Sequence, residues 1–148
     1  SEKLDYRIKL AESLGAVKVF NPSQSNIVEN FYVDNSEGVD IVFECCGEQT
    51  AVDEAIGLLT LGGELRIIGI PDGNELTFNP HDLRRKELTI HNVRRQNDCV
   101  AETIDYLSKG KINADVMLTH KLDANQIQSA FEMVQDYKDN SIKVLIKM

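Results

Sequence analysis

Two adjacent arginines, Arg94 and Arg95, form the charged pair in this sequence that is best suited to bind a ligand. They follow a predicted strand over residues 86–93, so their side chains would lie where that strand ends. A guanidinium group binds a phosphate or a polyhydroxylated ligand through parallel hydrogen bonds. The alternative is a pair of solvated surface side chains, and the residue types do not decide between the two.

Cysteine and histidine residues are the candidate metal ligands and nucleophiles. No C-x-x-C or H-x-x-x-H spacing occurs, so we expect no metal site within this chain. Cys45, Cys46 and Cys99 are an odd number of cysteines with two adjacent, which is a poor framework for disulfides. We therefore expect Cys45 and Cys46 to be packing residues and the compartment to be reducing and cytoplasmic. The histidines lack partners at ligand spacing and are expected to be structural; they are His81, His91 and His120.

Composition places the chain among ordinary globular domains. Its 148 residues, of which 42% are hydrophobic and 27% charged, suffice for one domain with a buried core. The net charge of -8 and the pI of 4.8 argue against nucleic-acid binding, which needs a basic surface. We also expect no membrane association, because no apolar run has the length of a membrane span and no signal-peptide pattern occurs.

The hydrophobic patterns predict an α/β fold with mostly parallel strands. Apolar residues recur with the helical period or the strand period in successive segments. The predicted helices cover residues 4–14, 25–36, 50–59, 98–110 and 123–137, and the predicted strands cover 17–20, 39–46, 61–71, 86–93 and 141–148. The order α-β-α-β-α-β-β-α-α-β contains half of a doubly wound sheet, which binds ligands at the carboxyl ends of its strands. Here those ends read FECCG, IIGIP and HNVRR.

Individual residues predict helix ends and buried faces. Thr50 and Asn97 are expected to be N-caps, and Asp123 with Gln126 resembles a capping box. The nearly continuous apolar run over residues 39–46 predicts a strand that is buried on both faces.

The remaining local predictions concern two loops and one helix face. Residues 71–80 are expected to form a loop, and the basic residues 84–86 a solvated turn. The last predicted helix carries an apolar stripe that is expected to be buried; it consists of Ile127, Ala130, Phe131 and Val134.

An ordered series of motifs resembles the C-terminal part of zinc-type medium-chain alcohol and polyol dehydrogenases, of the sorbitol and butanediol dehydrogenase kind. The series is RIKLAESLGA, FNP, GVDIVFECCG, LGGELRIIG, KELTI, THKL, AFEMV and IKVLIKM, and it runs over essentially the whole chain. The resemblance implies an incomplete Rossmann-like doubly wound parallel sheet over residues 1–113, with the first strand and the glycine turn absent. Residues 114–148 would form a C-terminal helix-strand tail that returns to the catalytic domain in the family.

The resemblance also implies a set of residues that bind NAD. Glu2 would accept the ribose hydroxyls and favour NAD over NADP, and Arg7 would lie near the adenine. The other implied contacts are Cys45, Cys46 and Gly47 on the adenine side, Ile68, Gly69 and Ile70 at the nicotinamide carboxamide, Arg94 near the cofactor, and Lys143 at the pyrophosphate. The alternatives are a frayed terminal carboxylate for Glu2, packing and a turn at residues 45–47, and an outward-facing side chain for Lys143.

By resemblance, the complete enzyme would oxidise a secondary alcohol or polyol and pass a hydride to NAD. Its zinc ligands and proton relay would lie in the preceding part, so we name no catalytic or metal-binding residue here. The nine glycines form no G-x-G-x-x-G motif, so we expect this chain alone to be inactive and to bind NAD weakly. A homodimer is expected through the strand near residues 87–93.

Two other functional classes remain open at this point. One is a non-catalytic association module, and the other is a zinc-free enzyme related to quinone and enoyl reductases. The sequence is expected to be a truncated protein, a proteolytic fragment or a short gene product, and it does not identify the substrate.

Overall fold

A computed structural model describes all residues from 1 to 148. It contains the helices α1 Asp5–Ser13, α2 Ile27–Asp34, α3 Gln49–Leu58, α4 Pro80–Lys86, α5 Val100–Ser108 and α6 Ile127–Gln135. The strands are β1 Val39–Glu44, β2 Leu59–Ile67, β3 Thr89–Asn92, β4 Leu118–Asp123 and β5 Lys143–Lys147. Short 3-10 turns cover Asp115–Met117, Ala124–Gln126 and Lys138–Asn140. The fold is α/β with parallel sheets, as predicted.

The chain forms two compact units. Unit 1 contains residues 1–3 and 18–97, and unit 2 contains residues 4–17 and 98–148. In unit 1 the strands lie in the order β1-β2-β3, and both pairings are parallel. In unit 2 strands β4 and β5 form a parallel pair with helix α6 between them in sequence, as a βαβ connection requires. The predicted functional boundary between residues 113 and 114 stays a prediction.

The core of unit 1 lies on one face of its sheet. Helix α3 packs on β1 and β2, and helix α4 packs on β2. Apolar residues of α3 and β2 form the buried cluster: Val52, Ala55, Ile56, Leu59, Leu65 and Ile67. The opposite face is open, because Ile41 and Phe43 of β1 are 45% and 59% exposed. The prediction that this strand is buried on both faces is therefore wrong: β1 is an edge strand, and helices α3 and α4 pack against the face that carries the core.

Unit 2 is held together around the turn before β5. The hydroxyl of Ser141 donates a hydrogen bond to the main-chain oxygen of Met133 in α6, and Ser141 is 1% exposed. The hydroxyl of Tyr6 in α1 donates to the main-chain oxygen of Ser141 at 2.8 Å. The capping box of Asp123 and Gln126 is confirmed before α6. The prediction of a buried apolar stripe on α6 is wrong in part. Ala130 is buried, but its apolar neighbours in the stripe line an open groove of 260 Å³.

One predicted strand is absent, and two predicted helix starts were wrong. Residues 17–20 form no strand, because a single backbone hydrogen bond, from the Glu2 N–H to the Phe20 oxygen, joins them to another segment. Helix α3 begins after Glu48 and not at Thr50, and α5 begins after Cys99 and not at Asn97. Neither helix has a side-chain cap, so the cap-forming residue types misplaced both starts.

Two elements of the fold were not predicted. Strand β4 is one, and helix α4 is the other, in the segment expected to be a loop and a solvated turn. Helix α4 has Pro80 in its first turn and Asn79 as N-cap, whose side chain accepts from the His81 N–H. Lys86 is only partly exposed, so the prediction of a solvated turn is wrong for this residue. Its ammonium group donates to three carbonyl oxygens at the end of α3 and the start of β2, those of Ile56, Gly57 and Leu59.

Candidate functional site

The carboxyl ends of the three strands of unit 1 meet at one edge of the sheet, because all three strands run parallel. We call this region the carboxyl edge and define it as residues 44–47, 67–71 and 92–95. The main-chain N–H of Val93 donates to the Ile67 oxygen at 2.9 Å, which extends the pairing beyond β3. Predicted site residues that follow all three strands therefore lie along one edge.

Glu44 ends β1 with a carboxyl group that is buried, since the residue is 3% exposed. Its Oε1 atom accepts hydrogen bonds from the main-chain N–H groups of Cys46 and Gly47, both at 2.7 Å. The Cys46 thiol donates to the same oxygen, with Sγ at 3.1 Å. One carboxyl oxygen thus accepts three bonds and fixes the turn after β1.

Glu44 also joins β1 to β2. Its main-chain oxygen accepts from the N–H groups of Ile68 and Gly69 at 2.8 and 3.0 Å. Its second carboxyl oxygen, Oε2, is buried and has no hydrogen-bond partner. Sequence reasoning missed Glu44 as a site residue, although a carboxylate at the end of a mostly apolar strand was the signal that could have identified it.

Two glycines allow the ends of β1 and β2 to approach closely. Gly47 has a φ of +79°, and a Cβ there would lie 2.5 Å from the Ile70 oxygen. A Cβ on Gly69 would lie 2.2 Å from the Gly47 nitrogen and 2.6 Å from Glu44 Oε2. No side chain fits at either position without moving backbone, so residues 47 and 69 form a backbone-only part of the carboxyl edge.

The two thiols at the carboxyl edge are exposed, so the prediction that they are packing residues is wrong. Strand β1 ends one residue before Cys45, which places both side chains beyond the sheet. Partial desolvation and then the Glu44 charge raise the pKa of Cys45, and desolvation and the hydrogen bond from its thiol to Glu44 raise the pKa of Cys46. Both side chains are therefore thiols, and not thiolates, at neutral pH.

The rest of the carboxyl edge presents apolar and cationic side chains to solvent. Ile68 and Ile70 are 41% and 68% exposed. Arg94 and Arg95 are exposed and make no hydrogen bond or ion pair in the structure. Their guanidinium groups are thus available to an anionic ligand.

A cleft of 480 Å³ adjoins the carboxyl edge and was not predicted. Isoleucines of β2 and β3 and side chains of the 71–78 segment form it: Ile67, Pro71, Asn74, Glu75, Leu76, Phe78, Ile90 and Asn92. Ile67, Pro71 and Asn92 lie in the strand ends IIGIP and HNVRR that the sequence indicated, and the other lining residues carried no such signal.

The structure places the three other predicted site residues in different surroundings. Glu2 belongs to unit 1, and its Oε1 accepts from the Lys3 N–H at 2.7 Å. Arg7 belongs to unit 2, where it donates to the Tyr6 hydroxyl and lies over the Tyr137 ring, 5.0 Å from its centre. Lys143 also belongs to unit 2, is exposed and begins β5.

The described residues contain neither a metal-ligand cluster nor a helix suited to span a membrane. No group of three or more His, Cys, Asp or Glu side chains is arranged to hold a metal ion. His120 instead bonds Asp139 and Thr119 at 3.0 and 2.9 Å, and His91 lies 3.7 Å from a Glu64 oxygen. None of the helices combines the length and the hydropathy that a membrane span needs.

Comparison with known proteins gives consistent matches along the chain. Sorbitol dehydrogenase of Bacillus subtilis (strain 168) is 26% identical over 141 residues, which cover 95% of this chain and 40% of that protein. An uncharacterised zinc-type alcohol dehydrogenase-like protein of Escherichia coli (strain K12) is 33% identical, over 98% of this chain and 42% of its own length. The chain thus spans about two fifths of the length of the curated relatives it matches.

A solved structure and a family model agree with these relatives. The structure of 2R,3R-butanediol dehydrogenase from Bacillus subtilis matches with a TM-score of 0.87 at 26% identity, over 99% of this chain and 42% of that one. The fold is therefore the Rossmann-like fold of such dehydrogenases. The family model described as zinc-binding dehydrogenase matches residues 1–109, which include the whole carboxyl edge. The chain belongs to the zinc-binding dehydrogenase family.

Proposed function

We propose that this chain supplies the dinucleotide-binding part of an NAD-dependent, zinc-type alcohol or polyol dehydrogenase. The observation that carries the proposal is the family match over residues 1–109, which spans every strand end of the carboxyl edge. The proposed reaction is the oxidation of a secondary alcohol or a polyol, with a reducing compartment such as the cytoplasm as its setting. Three free cysteines are compatible with that compartment.

The residues of the carboxyl edge have the chemistry that a dinucleotide needs. The close approach at Gly47 and Gly69 offers backbone without intervening side chains, and Ile68 with Ile70 offers exposed apolar surface for a flat ring. Arg94 offers an uncommitted guanidinium for a phosphate or a hydroxyl pair. Glu2 is proposed to accept the ribose hydroxyls, which would favour NAD over NADP. When bound, the nicotinamide accepts a hydride from the alcohol carbon.

Zinc does not fit the residues of this chain. The described side chains form no group of three or more metal-ligating residues, so no step of the reaction is assigned to zinc here. A zinc ion is proposed for the longer protein only, by family membership.

Titration of the chain with NAD tests the proposal, with amide NMR shifts as the readout. We expect weak binding, with a dissociation constant on the order of millimolar, because no G-x-G-x-x-G turn is present. The shifts should concentrate at residues 44–47 and 67–71. Without added zinc or further polypeptide, we expect no oxidation of sorbitol or butanediol by the chain.

A matched pair of variants makes this test specific to the carboxyl edge. Ile70→Glu places a negative charge beside the proposed path of the anionic dinucleotide and should weaken binding at least about fivefold. Leu61→Glu makes the same change at a residue of β2 that is 75% exposed and lies near the start of that strand, so binding should be unchanged. Equal effects of the two variants, or no NAD-dependent shifts at all, would contradict the proposed function and favour a non-catalytic association module.

We also propose that the protein forms a homodimer through the strand near residues 87–93. The supporting observation is that β3, which covers most of this range, is an edge strand of the sheet and pairs with β2 alone.

A further inference from the structure

We propose that the carboxylate of Glu44 raises the affinity of the carboxyl edge for oxidised NAD relative to its affinity for reduced NADH. The inference rests on the proposed function, because it requires the nicotinamide to reach the end of β2. Glu44 would not touch the ligand. It would act through space, as a fixed negative charge beneath the backbone of residues 68–70.

Glu44 meets three hydrogen-bond donors at one of its carboxyl oxygens. Two main-chain N–H groups and one thiol donate to Oε1, and donors of this kind suit a negatively charged acceptor. The residue forms no ion pair with any lysine, arginine or histidine of the chain. The partners of its carboxyl group are therefore main-chain N–H groups and a thiol, and not a cationic side chain.

The free oxygen of Glu44 points toward the proposed nicotinamide end of the site. Oε2 has no hydrogen-bond partner and lies 2.6 Å from the place where a Cβ on Gly69 would be. Gly69 is flanked by the exposed side chains of Ile68 and Ile70. A ligand that contacts the main chain of Gly69 would therefore lie close to this carboxyl group.

The two redox forms of the cofactor differ in charge at the nicotinamide alone. The oxidised ring carries one positive charge, and the reduced ring is neutral, while the remainder of the dinucleotide is unchanged. A buried charge is screened by solvent much less than an exposed one, so Glu44 lowers the free energy of the oxidised complex selectively. Contacts made equally by both forms cannot produce this difference.

The neighbouring thiols lie close enough to the same carboxyl group to interact with it. Desolvation is the larger cause of the raised pKa of Cys45 and Cys46, and Glu44 adds to it at both residues. Its negative charge thus acts on groups at the surface of the carboxyl edge, although the carboxyl group itself is buried.

The test measures dissociation constants for both NAD and NADH, by ligand titration of the folded chain. In Glu44→Gln, the ratio of the NAD constant to the NADH constant should rise on the order of fivefold over wild type. Glu44→Asp keeps the charge, so its ratio should stay within about twofold of wild type even if both affinities fall. Asp40→Asn removes one negative charge from the exposed start of β1 and should leave the ratio unchanged.

The outcomes separate this inference from the proposed function. Failure of the wild-type chain to bind either nucleotide would overturn both. Binding of both forms with an unchanged ratio in Glu44→Gln would overturn the inference alone and would leave Glu44 a purely structural residue, because loss of structure weakens both forms equally. If Glu44→Gln does not fold, Glu44→Asp still decides, since a ratio shifted about fivefold with the charge retained would refute an electrostatic origin.

Discussion

At the scale of single residues, Gly69 is the glycine at which an added side chain would lie closest to another atom. Gly69→Ala should lower the free energy of unfolding by about 2–3 kcal/mol, because the new Cβ would lie 2.2 Å from the Gly47 nitrogen, which is backbone. Gly73→Ala is the control, since the nearest atom to a Cβ there is 4.0 Å away. Urea unfolding of both variants checks this, and equal stabilities would show that the two strand ends can separate at little cost.

The cysteines of the carboxyl edge predict how stability depends on pH. Their pKa values are raised in the folded state above 9.0, so the unfolded chain loses these protons first as the pH rises. Their contribution is therefore complete below pH 9.0 and is lost as the pH rises through the folded pKa values. Unfolding under reducing conditions at several pH values should show this loss, and it should be smaller after Cys45→Ser and Cys46→Ser are combined.

At the scale of elements, Lys86 couples helix α4 to the end of helix α3. Its ammonium group donates hydrogen bonds to three carbonyl oxygens at 2.7 to 2.9 Å. Cations at a helix C-terminus also interact favourably with the helix dipole. Lys86→Met should therefore cost about 1–2 kcal/mol of stability. Arg85→Met, in the same helix but exposed and without a partner, should cost less than about 0.5 kcal/mol in the same thermal unfolding experiment.

The two faces of β1 should respond differently to the same substitution. Val42 packs against the core cluster, so Val42→Ser should destabilise unit 1 by about 1–2 kcal/mol. Phe43 is 59% exposed on the open face, and Phe43→Ser should change stability by less than about 0.5 kcal/mol. A large loss in Phe43→Ser would mean that this face is covered in solution.

Elements with a strong apolar period were predictable, and elements defined by tertiary contacts were not. Helix α3 and strand β5 have regular patterns, and both are present. Helix α4 is seven residues long with few apolar residues, and its lysine binds the end of a helix 27 to 30 residues earlier. Strand β4 alternates between half-buried and exposed positions and is defined by its pairing with β5, which no local pattern reports.

The candidate site was predictable as a place but not in its chemistry. The rule that parallel sheets bind ligands at their carboxyl ends indicated the segments FECCG and IIGIP, and the family resemblance indicated residues 45–47 and 68–70 within them. Neither identified Glu44, whose importance comes from where its two oxygens lie after folding. A sequence shows that a carboxylate interrupts a strand, but it does not show which backbone N–H groups donate hydrogen bonds to it after folding.

At the scale of the whole molecule, the proposed homodimer follows from the edge strand β3. The Val93 N–H points to β2, so the N–H of Asn92 points away from the sheet, as successive groups alternate in a strand. Asn92→Pro removes that donor and should convert a dimer to a monomer in light scattering at micromolar concentration. Asn92→Ala keeps the N–H and should remain a dimer. A monomeric wild-type chain would contradict the proposal.

The division of unit 2 between two distant segments has a consequence for the order of folding. The hydrogen bond from Tyr6 to Ser141 joins residues 135 positions apart, whereas the strands of unit 1 pair with partners about 25 residues away. Closing the longer loop costs more entropy and takes longer. During synthesis on a ribosome, the sheet of unit 1 can therefore form before residues 98–148, with which helix α1 packs, have been made. Helix α1 would therefore be among the last of the described helices to gain protection from amide hydrogen exchange.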